Sequence, residues 1–355
     1  MEIGGFFPFG KMQEKENGYF ERVCPGAGDV RHLMSGRCAI YLCLQDSLLT
    51  DTRKTAYLPA YTCETVSGCF VKAGYQIYYY DVDETLTPLF DRSLIDKISF
   101  LLICGYYGFS TYDEDFVKAC HEKGVTIMQD TTHTAFSPLP ACPYADYVAV
   151  SLRKWMGVTS GGLAFKRKGV FQVSPIAPDE AHLAIRTEAL TKREAYERTG
   201  DETLNKESSD AFWKAEWMLR EIFDMQEGDA YSLYRIRHYP IENSVEKRRA
   251  NFTYLLEHLP ENPAVRPVFT ELPKDVCPMF FPFLCEDRQN LMDHLAAWQI
   301  PPKVYWPVPP FIHIEDYPHA EYVYGHIMSI SCDQRFGLED MERVVRVFEM
   351  YKSQQ

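Results

Sequence analysis

The sequence lacks the Cys-x-x-Cys pair on which structural zinc sites are commonly built. Its eleven cysteines are Cys24, Cys38, Cys43, Cys63, Cys69, Cys104, Cys120, Cys142, Cys277, Cys285 and Cys332, with no Cys-x-x-Cys among them. A structural zinc site therefore has little support. The count is odd, and several thiols sit in apolar runs, as Cys104 does in Phe100-Leu-Leu-Ile-Cys. A thiol in such a run is a small buried hydrophobe. No apolar run approaches the ~20 residues that span a bilayer. The opening Met1-Glu-Ile-Gly-Gly-Phe-Phe has no basic segment followed by an apolar one, so no leader is expected. A soluble protein of a reducing cytoplasm, with no membrane partner, is the expectation. Positive charge is scarce: 37 Lys and Arg stand against 50 Asp and Glu, for a net charge of -13. A duplex-binding face needs a basic excess, which argues against nucleic acid as the main partner. A repeat, a low-complexity tract and a heptad run are also missing, which removes solenoids and coiled coils from consideration.

What is present is globular. With 46% hydrophobic and 25% charged residues over 355 positions, the chain can bury a large core, and its length suggests two domains. Residues 35–49 carry Ala39, Leu42, Cys43 and Leu48 at helical spacing. Residues 55–59, 75–80, 100–104, 125–129, 147–151 and 162–166 read as strands, with helical stretches at 61–73 and 113–123 between them. Gly74 and Gly124 follow those helices as stop signals. Strands separated by helices predict an α/β architecture with a mostly parallel sheet flanked by helices. Residues 177–228 are charge-rich and helix-prone. A break at Pro240 precedes a helix over 243–258. Beyond it the pattern is α+β, with strands at 279–285 and 326–331 and helices at 287–298 and 338–352. The expected division is a large domain over 1–238, with an N-terminal arm and the charged helical segment, and a smaller α+β domain over 239–355.

Chemistry collects at the carboxyl ends of the first-half strands, where open parallel sheets bind ligands. Met34-Ser-Gly-Arg-Cys-Ala opens the 35–49 helix. Small residues at a helix N-terminus present free N–H groups to a phosphate, or Ser35 is an ordinary N-cap. Asp130 ends a strand and begins Asp130-Thr-Thr-His. It is placed to pair with a protonated ring nitrogen, or to cap a turn; His133 is a site residue or a satisfied buried histidine. Lys154 follows a buried strand in Ser151-Leu-Arg-Lys. A lysine in dry surroundings loses its proton more readily and becomes a nucleophilic amine. Arg153 beside it is a phosphate ligand or a surface charge. A reactive lysine, an acidic partner for a pyridinium nitrogen and a phosphate cup together form the parts list of a pyridoxal phosphate site.

The chain resembles the DegT/DnrJ/EryC1/StrS sugar aminotransferases, within the fold type I pyridoxal phosphate enzymes. The resemblance rests on Ser35-Gly-Arg-Cys-Ala-Ile, Leu58-Pro-Ala-Tyr-Thr-Cys, Gly74, Tyr80-Asp-Val-Asp, Asp130-Thr-Thr-His, Ser151-Leu-Arg-Lys with Gly161 and Gly162, Trp298-Gln-Ile-Pro-Pro and Ser329-Ile-Ser-Cys-Asp-Gln-Arg-Phe. It implies pyridoxal 5'-phosphate as cofactor, no metal, a ping-pong transfer from glutamate or a similar donor to a nucleotide-linked keto sugar, and a homodimer with sites at the subunit interface. By position it implies that Lys154 bonds the cofactor and moves the proton, that Asp130 keeps the pyridine nitrogen protonated, and that His133 lies near the 3-hydroxyl. It further implies that Gly36, Arg37, Cys38 and Ser151 hold the phosphate. The position of the usual stacking aromatic is Cys63, with Tyr61 nearby. The alanines that commonly follow the acidic residue are Thr131 and Thr132, and the nearest stretch to the family's cross-subunit segment is Tyr234-Arg-Ile-Arg-His. Tyr305 and Trp306 are expected to stack on a substrate or to pack the Pro-rich loop. Arg335 is expected to grip an anionic group or to form a structural ion pair. Alternatives on the same scaffold are a lyase, decarboxylase or sugar dehydratase, or a non-catalytic protein. The dehydratases of this group carry histidine where this chain has Lys154, which favours amino transfer.

Overall fold

The structure, a computed structural model, describes residues 2–351. Eight strands form the central sheet: β1 (Asp29–Leu33), β2 (Thr55–Pro59), β3 (Gln76–Val82), β4 (Pro88–Leu89), β5 (Phe100–Cys104), β6 (Thr126–Asp130), β7 (Tyr147–Ser151) and β8 (Gly162–Lys166). Their order across the sheet is β1-β8-β7-β6-β5-β2-β3-β4. The ladders joining β3, β2, β5, β6 and β7 are parallel, while β8 runs against both β7 and β1. The expected α/β class, with a mostly parallel sheet flanked by helices, is the one observed. Interior strands read as near-continuous apolar runs because both faces are covered: every residue of β7 is buried, as are four of five in β5. Helix Gly36–Ser47 packs on β1, β7 and β8, and helix Glu114–Glu122 packs on β6.

Several boundaries differ from the sequence pattern. β1 was not foreseen: its Asp-Val-Arg-His-Leu has no apolar alternation, and four of its five residues are half-buried at the sheet edge. The helix expected from 61 begins at Glu64, with Cys63 extended before it. The helix after Pro240 is Ile241–His258, with Pro240 itself as N-cap. Position 326 belongs to helix Pro318–His326 rather than to the strand that follows. The C-terminal helix is Leu338–Met350; its expected last residue, 352, lies outside the described residues.

The segment 177–228 is a helical hairpin, Glu180–Thr199 and Glu202–Ile222. Asp179 and Asp201 accept backbone N–H groups at the two helix starts. Gly200 ends the first helix at φ 72°, a left-handed conformation that suits glycine. A second, three-stranded antiparallel sheet places β10 (Phe281–Cys285) between β9 (Val265–Pro267) and β11 (Ile327–Ile330). A separate apolar core forms on it from Phe252, Phe281, Phe283, Met328, Ile330 and Val344. Ile3 joins that core, so the N-terminal segment is tied to the C-terminal unit.

Candidate active site

Three loops at the carboxyl ends of β1, β6 and β7 meet at one point. Ser35 caps helix Gly36–Ser47, its hydroxyl accepting the Cys38 N–H at 3.3 Å. The first turn of that helix retains the unpaired N–H groups that favour anions. Two glycines permit the close approach. A Cβ on Gly36 would lie 2.8 Å from Ser151 Cβ, and one on Gly162 would lie 2.1 Å from the Ser35 carbonyl oxygen. The sequence-predicted Gly36, Arg37 and Ser151 are thereby brought together.

Asp130 ends β6. Its Oδ1 accepts the Thr132 N–H at 2.8 Å, so the turn that follows is folded by the carboxylate itself. Burial pushes its pKa up, opposed by the Thr132 hydrogen bonds and by Lys154. Thr132 ties the site together: its hydroxyl accepts the Ser151 N–H at 3.0 Å, and its carbonyl accepts Trp155 Nε1–H at 2.6 Å. His133 Nδ1 accepts the Tyr107 N–H at 3.3 Å, while its buried Nε2 has no partner. Burial, reinforced by Lys154, holds this imidazole well below its usual pKa.

Lys154 ends a short 3-10 turn, Leu152–Lys154. Its Nζ lies 4.8 Å from the Tyr305 ring centre and 5.5 Å from that of Trp306. Burial lowers its pKa; Cys63 and Asp130 oppose the shift. The result is the dry amine that a carbonyl-reactive lysine needs. Lys154, Asp130, His133, Ser151, Cys63, Tyr305 and Trp306 all line one cavity of about 570 Å3. A second cavity of about 460 Å3, bordered by Phe109 and Phe269, contains no lysine, arginine or histidine in its wall.

Four expected site residues stand elsewhere in this arrangement or play a different part. Cys38 is fully buried beneath the helix start, its thiol between Ser35 Oγ and Gln226 Oε1. Arg37 is a wall residue whose guanidinium turns to the Glu216 carboxylate, 3.9 Å away. Tyr61 lies behind the wall, its hydroxyl donating to the Tyr305 carbonyl, and it packs on Trp306 and Tyr324. Arg335 is absent from the wall: its guanidinium is bound to Asp333 at 2.9 Å and to the Phe6 carbonyl at 3.0 Å. Of its two readings, the geometry is that of the structural ion pair. The stretch at Tyr234 lies in helix Ala230–Arg237, where Arg235 binds carbonyls of Gly157 and Gly10 in its own chain.

The wall also holds residues that sequence reasoning passed over. Lys303 lines it, with a pKa pushed down to about 8 by burial and Arg335. Helix Glu202–Ile222 contributes Phe212, Trp213, Glu216, Trp217 and Arg220, and the preceding helix contributes Arg186. The signal available was weak: Trp213 and Trp217, four apart in a charged segment, mark one face of the helix. Among the described residues no cluster of three or more His, Cys, Asp or Glu could hold a metal ion, and no helix is long and apolar enough to cross a membrane.

Among solved structures the chain is similar to the sugar aminotransferase CalS13 from Micromonospora echinospora, at 16% identity and a TM-score of 0.62, covering 96% of this chain and 94% of that one. It has the sugar aminotransferase fold. Spr1654 from Streptococcus pneumoniae, in its PLP form, aligns with a TM-score of 0.65 at 14% identity over 97% of this chain and 92% of that one. A DegT DnrJ EryC1 StrS aminotransferase from Brucella abortus aligns at 0.62 and 16% identity, over 93% and 87%. No protein-family model and no curated protein sequence matches the chain. Within the sugar aminotransferase fold, the α/β expectation and its fold type I assignment stand.

Proposed function

We propose that this protein is a pyridoxal phosphate-dependent aminotransferase that passes an amino group from glutamate or a similar donor to a keto sugar, nucleotide-linked, by a ping-pong route. One observation carries the reading: a buried amine, a buried carboxylate and a helix N-terminus, from three separate loops, open into a single cavity. The residues suit the cofactor. The orphaned His133 Nε2 offers a donor, Asp130 offers an acceptor, and the Gly36–Ser151 approach forms a cradle that a side chain at 36 would fill.

When bound, pyridoxal phosphate supplies an aldehyde carbon and a ring that draws electrons from the substrate's α-carbon. Lys154, its amine made less basic by burial, would be the group offered to the aldehyde and the one placed to carry a proton to or from the substrate carbon. Asp130 would pair with a protonated pyridine nitrogen, and a cation beside it opposes the upward pull of burial on its own pKa. His133, kept neutral, donates from Nε2. Ser151 and the N–H groups of Gly36 and Arg37 would orient the phosphate, the Cys38 N–H being taken by Ser35. Tyr305 and Trp306 shield the amine from water, with Tyr61 buttressing Tyr305.

A homodimer is part of the same proposal, as is a cytoplasmic setting. All eleven cysteines are unpaired, which suits a reducing compartment. The purified protein should be yellow, and borohydride should fix the cofactor to Lys154 in a peptide identified by mass spectrometry. Glutamate should convert the bound cofactor to its pyridoxamine form, and a keto-sugar nucleotide should then gain the amine. A protein that stays colourless after reconstitution, or that no amino donor converts, would sink the reading.

A further inference from the structure

Three guanidiniums converge on one carboxylate in the wall beside Lys154. Glu216 Oε1 accepts from Arg153 Nη2 at 2.8 Å and from Arg186 Nη1 at 2.9 Å. Glu216 Oε2 lies 3.9 Å from Arg37 Nη2. Arg37 belongs to the first turn of helix Gly36–Ser47 and Arg153 immediately precedes Lys154, whereas Arg186 and Glu216 sit on the two arms of the hairpin. The three arginine side chains are only 10%, 9% and 3% exposed. One carboxylate offsets one of these charges, so two remain where little water reaches them. His182 adds none: buried beside Arg153 and Arg186, it is held neutral with a pKa of about 4.

The donors are unsatisfied as well as the charge. Arg37 Nη1, Arg153 Nε and Nη1, and Arg186 Nε are buried without a partner. Buried polar groups in folded proteins are almost always bonded, and a stranded charged donor is costly. Arg37, Arg153, Arg186 and Glu216 are all residues of the cavity wall, which sets the cluster directly beside any ligand held there. Two surplus charges and four open donors in several directions suit a tetrahedral dianion better than a single planar carboxylate.

We propose that Arg37, Arg153, Arg186 and Glu216 form a binding site for a phosphate-class dianion, completed within one chain by the helical hairpin. Glu216 spaces the guanidiniums and offsets their mutual repulsion, while the ligand takes up the remaining charge. Resting on the proposed function, the cofactor's own phosphate is the nearer source of this chemistry and a substrate phosphate is the other. The resemblance to interfacial sites implies a wall from a second subunit; here the hairpin supplies wall residues in cis.

The test titrates the full chain, freed of small molecules, with inorganic phosphate, pyridoxal phosphate and pyridoxal, which lacks the phosphate. Bound aldehyde is read by absorbance, and phosphate by the shift in thermal midpoint. Arg186→Gln should weaken phosphate and pyridoxal phosphate binding roughly tenfold or more, the loss of a charge-assisted hydrogen bond, and leave pyridoxal binding unchanged. Arg186→Lys should restore part of it. Glu216→Gln should move the other way and tighten phosphate, an opposite sign that a purely structural role would not produce. If Arg186→Gln spares pyridoxal phosphate but abolishes nucleoside diphosphate binding to the loaded protein, the site stands with the substrate as its source. Equal loss of pyridoxal phosphate and pyridoxal, or unchanged affinity for every phosphate probe, overturns the proposal. A wild-type chain that bonds neither aldehyde counts against the proposed function, and the inorganic phosphate titration still decides the site.

Discussion

The guanidinium of Arg248 lies 4.6 Å from the ring centre of Trp155, the residue that follows the cavity lysine. Arg248 belongs to helix Ile241–His258, so a C-terminal element braces the loop that carries Lys154. It also donates to Gln334 Oε1 at 2.5 Å and to the carbonyls of Met279 at 2.7 Å and Pro278 at 3.2 Å. Replacing Arg248 with Met keeps the bulk and strands those acceptors. Arg248→Met should therefore cost about 2–4 kcal/mol in denaturant unfolding, with weaker cofactor retention on dialysis.

His133 should remain a neutral imidazole throughout the neutral range, with its proton on Nε2, because Nδ1 already accepts the Tyr107 N–H and burial opposes its charge. Nitrogen NMR shifts of this ring would report the tautomer directly. An imidazolium signal above pH 6.5 would contradict the geometry.

Acid should destabilise the hairpin in two stages. His182 titrates at about 4 in the fold against 6.5 when free. The unfolded chain thus takes up this proton first, and stability falls as pH drops from 6.5 towards 4. Glu216 is the opposite charge type: burial opposes its ionisation, but Arg153, Arg186 and Arg37 outweigh it and hold the pKa at about 2, against 4.5 when free. Its contribution is complete above 4.5 and drains away as pH falls towards 2. Denaturation midpoints followed against pH should show both limbs, and Glu216→Gln should shrink the lower one.

Gly162→Ala should be far more damaging than Gly124→Ala. A Cβ at 162 meets the Ser35 backbone, whereas one at 124 meets nothing within 4 Å, though its φ of 73° carries ordinary backbone strain. Overpacking of the first kind costs about 1–3 kcal/mol or more. It also displaces the start of helix Gly36–Ser47, so pyridoxal phosphate affinity should fall with Gly162→Ala and hold with Gly124→Ala.

Lys154→Met should raise thermal stability while abolishing covalent attachment of the cofactor. The buried ammonium is disfavoured in the fold, so at neutral pH it works against stability. A lower melting temperature for the variant would mean that the amine is not a strained group.

The buried strands were legible because parallel ladders covered on both faces demand unbroken apolar runs, as in Phe100–Cys104 and Tyr147–Ser151. β1, at the sheet edge, carries no such pattern, and the short β4 and β9 have too few residues to show one. Asp130 and Lys154 were legible for a related reason: Asp130 closes one apolar strand and Lys154 stands three residues past the end of another. The Arg186–Glu216 pair was not, since the two residues lie thirty apart on different helices. Nothing in a charged helical segment tells a solvated face from one folded over a cavity. Arg335 shows the converse: its acidic partner, Asp333, is two residues away, so its charge is consumed locally.

The pairing of Ser151 with Gly162 and the Leu152 N–H bond to the Gly161 carbonyl at 2.7 Å close the Lys154 loop at its base. The loop is thus a closed clasp rather than an open arm, its order set by hydrogen bonds within the chain itself. In kinetic terms the amine carries a high effective molarity towards a carbonyl seated in the cavity, because little freedom remains to be lost when the two meet.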